Sequence, residues 1–240
     1  MECAVVSCHV ERPLDDRCWA LFSEVQERRP GGFRIAALVR PPDGAAGEDE
    51  ERWLARAREA GARGPIGHHT HFVGPGHARP PAPGPEHAER VRSEAAWLRE
   101  RDLELRLFCG GGWYMDAGVA AALADLGYAD CTATAFRPSY LAEGAPRLSL
   151  AAPTWLRLAD GRRFLELPST HSLGMAARGT ALALPPFVHV YFHDTDLLSA
   201  ARRRALSLAL AVLGRRRRPA ELDQLTASAE LDLSEAASAP

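Results

Sequence analysis

The chain contains no lysine: all 29 of its basic residues are arginine. In a sequence rich in alanine, arginine, glycine and proline, this reads as a compositional bias more than as a mechanism. Against 31 acidic residues the formal net charge is −2, which gives no field to draw nucleic acid over the surface. No apolar run reaches the roughly 18 residues that would span a bilayer, so no membrane span is expected. No positively charged leader with a small-residue cleavage site precedes the first strand-like run, and the expected location is cytoplasmic. Cys3, Cys8, Cys18, Cys109 and Cys131 are odd in number and form no Cys-x-x-Cys pair. That pattern argues against a disulfide framework and against a structural zinc ribbon. The glycine run Gly110-Gly111-Gly112 follows a strand-like segment but lacks both the dinucleotide-binding spacing and a following Gly-Lys-Ser/Thr, so a phosphate cradle is not supported.

What is present is a globular composition, 25% charged and 46% hydrophobic, over 240 residues. One domain over residues 1–228 is expected, with 229–240 as a flexible tail because no apolar periodicity continues there. Cys3–Val10 and Phe187–Phe192 are short, apolar and β-branched, which predicts buried strands. Phe33–Val39, Leu103–Phe108 and Tyr128–Ala133 read as further strands. Helices are predicted from about Asp15 to Arg29, Glu48 to Ala62, Glu86 to Arg101, Asp116 to Leu126 and Leu197 to Leu213. Residues 147–172 alternate about Asp160-Gly161 as a hairpin would. The run Arg215–Arg218 is read as a helix end that complements the dipole. Strands separated by helices predict an α/β architecture with a parallel sheet.

Three of the nine histidines crowd into Gly67-His68-His69-Thr70-His71-Phe72. On a strand, His69 and His71 share one face and His68 points to the other. A helical His-x-x-x-His reading fails because Val73 stands four residues after His69. His9 and Glu11 share a face in the same way at the end of the first strand, and His193-Asp194 follows the strongest strand. Polar groups at the carboxyl ends of parallel strands gather at one mouth in α/β folds, which makes these groups the candidate site. His77 and His87 flank a stretch rich in proline and glycine and are expected to be solvated. Trp113 and Tyr114, after the glycine run, are candidates either for stacking on a sugar or for the core.

The order of these motifs resembles the polysaccharide deacetylase (NodB-homology) family over roughly residues 3–225. The segments that carry the resemblance are Cys8-His9-Val10-Glu11, Gly67-His68-His69-Thr70-His71, the stretch from Phe108 to Thr134, Phe164–Ser172 and Val190–Leu198. The resemblance implies a distorted (β/α) barrel and a metal-dependent deacetylase acting on an N-acetylated sugar or glycoconjugate. It further implies a divalent metal, with zinc first and cobalt or nickel as alternatives, held by Glu11, His69 and His71. His9 takes the place of the base or of a fourth ligand. His193 would be the proton donor, with Asp194 or Asp196 fixing its tautomer. The chain departs from the family pattern at three positions: His9 stands where the first acid belongs, Val73 where the second metal histidine belongs, and Cys109 where an arginine orients the catalytic acid. A catalytically silent carbohydrate-binding relative and a hydrolase of non-sugar amides are the competing readings.

Overall fold

In a computed structural model, residues 2–74, 79–139, 141, 147–179 and 183–238 are described. The chain runs Cys3–Val10 (β1), Asp16–Arg28 (α1), Ala36–Val39 (β2), Glu50–Arg63 (α2), Ile66–Thr70 (β3), Glu86–Arg99 (α3), Leu107–Gly110 (β4) and Ala117–Leu126 (α4). It continues through Ala129–Asp130 (β5), Thr154–Arg157 (β6), Arg163–Glu166 (β7), His171–Ser172 (β8), Leu173–Gly179 (α5), Phe187–His193 (β9), Ala200–Arg216 (α6), Arg218–Pro219 (β10), Ala229–Asp232 (β11) and Leu233–Ser238 (α7). This is the α/β class that the strand and helix patterns predict, with mostly parallel pairing. Two compact units result, Met1–Ile66 with Thr170–Gln224, and Gly67–Ser169 with Leu225–Pro240.

The first unit is built on β1, whose eight residues are all buried. Such a strand has no polar face to offer water, so it needs a partner on both edges and cover on both faces. One edge pairs in parallel with β9 from Cys3↔Phe187 to His9↔His193. The other is shared by β10 at Cys3 and Ala4 and by β2 from Ser7 to Val10. Asp15 caps α1, its carboxylate accepting from the backbone N–H of Arg17 and Cys18. Between α1 and β2 the chain turns at Gly31, which has φ 68°. A Cβ there would lie 2.1 Å from the Leu210 carbonyl oxygen of α6, so glycine is required both by conformation and by the close approach of the helix. The predicted strand from Phe33 shortens to Ala36–Val39, because Pro30–Gly32 form a tight turn that carries Phe33 into the core. Arg215 and Arg216 do end α6, and Arg217 donates to the carbonyls of Leu184 and Pro185.

The second unit orders its strands β3-β4-β5-β7-β6-β11. All pair in parallel except β6 and β7, which form the predicted antiparallel hairpin around Gly161 at φ 86°. α3 and α4 bury Val91, Leu98, Val119 and Leu123. The boundary expected at residue 228 falls inside this unit. Residues 229–238 hold β11 and α7, since Ala229–Asp232 pair in register with Thr154–Arg157 and Ala236 is buried. Composition carried no sign of that ladder, because its four residues are exposed or half-buried and show no apolar periodicity.

Candidate metal and proton-transfer site

β3 places its side chains as strand alternation requires. His68 and Thr70 turn to one face, where Glu94 of α3 accepts from the Thr70 hydroxyl at 2.7 Å and lies 2.8 Å from His68 Nε2. Arg90 donates to the other oxygen of Glu94 at 2.8 Å. These partners hold the Glu94 carboxyl below its ordinary value against the opposing cost of burial. His69 and His71 turn to the other face, with ring centroids 4.8 Å apart. His69 Nδ1 is 2.8 Å from the Cys109 carbonyl oxygen. A carbonyl only accepts, so Nδ1 carries the proton and Nε2 presents its lone pair. That lone pair faces Nε2 of His71 at 3.1 Å. A ring nitrogen fixed in this way by a backbone carbonyl is the usual preparation of a histidine ligand. Two buried imidazoles aiming nitrogens at one point, with the tautomer of one of them fixed, fit a borderline metal such as zinc.

Just beyond these imidazoles, β4 ends in the glycine run. A Cβ on Gly111 would meet the Thr70 carbonyl oxygen at 2.7 Å and His71 Cδ2 at 3.0 Å. Gly112, at φ 68°, would meet the backbone of Arg79 at 2.6 Å. The glycines thus let the turn pass directly against His71, which is a packing role and not a phosphate cradle. Trp113 and Tyr114 are 4% and 6% exposed. The Tyr114 ring packs edge-on to Phe72 and His87 at 5.2 and 5.1 Å, and its hydroxyl donates to the Asp116 carboxylate. Burial and that bond raise the Tyr114 hydroxyl well above its ordinary value. Of the two roles foreseen for these aromatics, the core role matches this packing. His87 is also buried, contrary to the solvated expectation, and bonds to the Ala82 carbonyl oxygen at 2.8 Å. His77 lies outside the described residues.

In the first unit, the parallel register of β1 and β9 sets His9 beside His193, their rings 5.3 Å apart and nearly perpendicular. Tyr191 closes the group at 5.3 Å from His9 and 5.7 Å from His193. Glu11, one residue past the strand, brings Oε1 to 3.8 Å from His193 Nε2. His9, Glu11 and His193 offer ligand atoms within 4.8 Å of one another. His193, with its side chain 34% exposed, is the open member of the set, as a group that exchanges protons with a substrate must be.

Asp194 and Asp196 divide the work differently from the order in which they follow His193. Asp194 does not face the imidazole. Its Oδ2 accepts from the Arg12 N–H at 2.8 Å, its Oδ1 from the Thr195 N–H at 2.8 Å, and the Glu11 N–H also bonds to it. Asp194 therefore pins the turn that presents Glu11. Burial pushes its pKa from 3.8 up to about 6, the nearby Glu11 charge adds to the rise, and the three backbone bonds oppose it. Asp196 is the acid on the imidazole side: it accepts from the His193 N–H at 3.0 Å and lies 3.9 Å from His193 Nδ1. A sequence cannot tell which of two acids two residues apart reaches a histidine, because the tight turn over Asp194–Leu198 decides it.

Cys109, at the position of the family's arginine, is fully buried, with Sγ 3.9 Å from the Gly110 carbonyl oxygen and 3.8 Å from that of Cys131. All five cysteines are free and buried. The second unit also contains a cavity of about 940 Å³ whose walls include Met115, Leu148, Leu158, Leu233 and the ion pair of Arg157 with Asp232. No residue foreseen from the sequence lines it.

No family model matches the chain, and no curated protein matches it in sequence. Solved structures do. A CE4 family pseudoenzyme from Bacillus anthracis superposes with a TM-score of 0.53 at 8% identity, covering 98% of this chain and 65% of its own. A 4-alpha-glucanotransferase from Thermococcus litoralis gives 0.51 at 12%, covering 97% and 37%. A family 4 carbohydrate esterase from Streptomyces lividans gives 0.49 at 9%, covering 89% and 86%. This chain therefore spans less than two thirds of the length of the first two. At these identities the likeness is one of fold alone. Among the described residues no helix is long and apolar enough to cross a membrane.

Proposed function

We propose that the protein is a metal-dependent hydrolase that removes an acetyl group from an N-acetylated sugar or glycoconjugate. The observation that carries this reading is the pair of opposed Nε2 atoms of His69 and His71, 3.1 Å apart, with His69 Nδ1 committed to the Cys109 carbonyl. The ligand set is the one the resemblance implies: Glu11, His69 and His71, with zinc as the first candidate and cobalt or nickel next. When bound, such a cation supplies Lewis acidity, lowering the pKa of a water ligand towards about 7 and polarising the acyl oxygen.

The remaining work falls to the chain's own groups. His9, buried against Tyr191, takes the proton of the attacking water in this reading. His193 gives a proton to the departing amine in this reading, and Asp196 stands on its Nδ1 side. Asp194 holds the Glu11 turn in place through the Arg12 and Glu11 N–H groups. Trp113 and Tyr114 build the wall behind the glycine turn.

A second reading, a silent carbohydrate-binding relative, is favoured by one observation: Cys109 buries a thiol where the family carries an arginine. One experiment separates them. Protein dialysed against zinc is assayed for metal content and for hydrolysis of a chromogenic acetate and an N-acetyl sugar, beside His69→Ala. One metal per chain with turnover that His69→Ala abolishes supports the enzyme. Metal-free protein whose residual activity survives His69→Ala overturns it, and metal without turnover leaves the silent relative.

A further inference from the structure

In the interior of the second unit two carboxylic side chains meet that the proposed reaction does not use. Asp130 ends β5 and Glu166 ends β7, and the two are direct partners in the parallel ladder. Both are fully buried. One oxygen of each is well satisfied. Asp130 Oδ1 accepts from the Thr132 hydroxyl at 2.6 Å and the Thr132 N–H at 3.1 Å, and Glu166 Oε1 accepts from the Ala133 N–H at 2.9 Å. The other two oxygens, Asp130 Oδ2 and Glu166 Oε2, meet no N–H or O–H donor among the described residues. Among the described residues the side chain that each carboxyl meets across the ladder is the other's.

Two lone pairs cannot bond without a proton between them, and two adjacent buried carboxylates cannot both stay ionised. We infer that Asp130 and Glu166 hold one proton between them at neutral pH, forming an acid–carboxylate pair that clamps the ends of β5 and β7. The clamp reaches further. The Thr132 hydroxyl that donates to Asp130 also accepts from the Gly110 N–H at 2.7 Å. The shared proton thus ties the exit of β4, where the glycine turn begins, to the same cluster.

The surroundings agree. Burial raises both carboxyls, Glu166 more strongly, with the charge of Asp130 adding to it. Cys131 on β5 and Cys109 on β4 are the neighbouring titratable groups. Both thiols are buried, and Cys131 is held well above its ordinary value by burial first and by Cys109 and the two acids next. On β6, Thr154 stands opposite Glu166. On α4, Asp125 is at the surface with Arg92 and Arg162. Among the described residues no cation is seen to pair with either acid, so the proton stays between them.

The sign of the linkage follows. The folded chain binds one proton more than the unfolded chain at any pH above the ordinary carboxylate range of about 4 and below the folded value. Stability is lost as pH rises through that window. Glu166→Gln supplies a permanent N–H to Asp130 Oδ2 while keeping the acceptor for Ala133, so it imitates the protonated pair. Chemical denaturation of both proteins from pH 5 to 7 is the test. The folding constant of the wild type should fall about tenfold per pH unit relative to the variant. Parallel curves would overturn the proposal. If Glu166→Gln does not fold, infrared spectra of the wild type in heavy water at pH 8 decide. A protonated-carboxyl C=O band is expected there, and its absence refutes the shared proton. Neither outcome depends on metal or on turnover, so the clamp and the hydrolase reading fail separately.

Discussion

Asp194→Asn should remove a pH dependence that the wild type shows between pH 4 and 7. Asp194 titrates near 6 in the folded chain and at 3.8 when exposed, because burial and the Glu11 charge outweigh the three backbone N–H groups that bond to it. A carboxyl whose folded value is raised binds its proton more tightly in the native state. Its destabilising effect is therefore absent at pH 4, grows as pH rises and is complete above about 6. A shift of this size corresponds to about 3 kcal/mol at roughly 1.4 kcal/mol per unit, and the residual solvent access of the site brings the expected figure nearer 2 kcal/mol. Asparagine occupies the same volume, keeps one oxygen for an N–H and carries no charge. Urea denaturation followed by the fluorescence of Trp19 and Trp53, both buried in the first unit, should show the wild type losing about 2 kcal/mol relative to the variant between pH 4 and 7. If the two curves run parallel, the raised acid is not Asp194, and the account of the Glu11 turn fails with it.

Four further outcomes are expected. Zinc at a hundredfold excess over its dissociation constant should stabilise the wild type by about 2.7 kcal/mol in thermal denaturation, and His69→Ala or His71→Ala should abolish the increment. Glu94→Ala removes the acceptor shared by Thr70, His68 and Arg90 and should cost about 2–4 kcal/mol in urea, whereas Glu94→Gln recovers part of it. Gly31→Ala forces a Cβ to 2.1 Å from a backbone oxygen at φ 68° and should destabilise by more than about 2 kcal/mol; a variant as stable as the wild type would show that α6 sits elsewhere. The five buried cysteines should react with an aromatic disulfide reagent only as fast as the protein opens, and immediate labelling of native protein would contradict their burial.

The elements that declared themselves in the sequence are those whose own residues determine burial. β1 is a run of small and β-branched side chains and β9 alternates valine with aromatic and histidine rings, and both appear within a residue or so of their expected limits. Asp160-Gly161 marked its hairpin because the turn demands a positive φ. What was not legible depends on distant partners. β11 exists because β6 offers a free edge, His87 is buried because Phe72 and Tyr114 cover it, and the fate of Asp130 is set by a glutamate 36 positions away. The alternation rule paired His69 with His71 and His9 with Glu11, and each pair meets within its own unit. It could not assign the acids after His193, because there the chain leaves the strand and the rule no longer applies.

The same alternation links the histidine pair to α3 on the opposite face of the strand. β3 has only five residues, and its two faces are occupied by groups of opposite demand. On one face His68 and Thr70 bond to a half-buried carboxylate that Arg90 holds from α3; on the other His69 and His71 set nitrogen against nitrogen. A slip of one residue would expose the Glu94 carboxylate to His69 and His71 and turn His68 and Thr70 towards the Cys109 carbonyl. In the register observed the Thr70 hydroxyl donates to Glu94 beside His68, and a slip of one residue would take that acceptor away from both. The Glu94 carboxylate on one face therefore favours the register that presents the imidazoles on the other. On this argument the sequence Gly67-His68-His69-Thr70-His71 is not a cluster of interchangeable histidines: His68 anchors the strand, and His69 and His71 are what the anchoring presents.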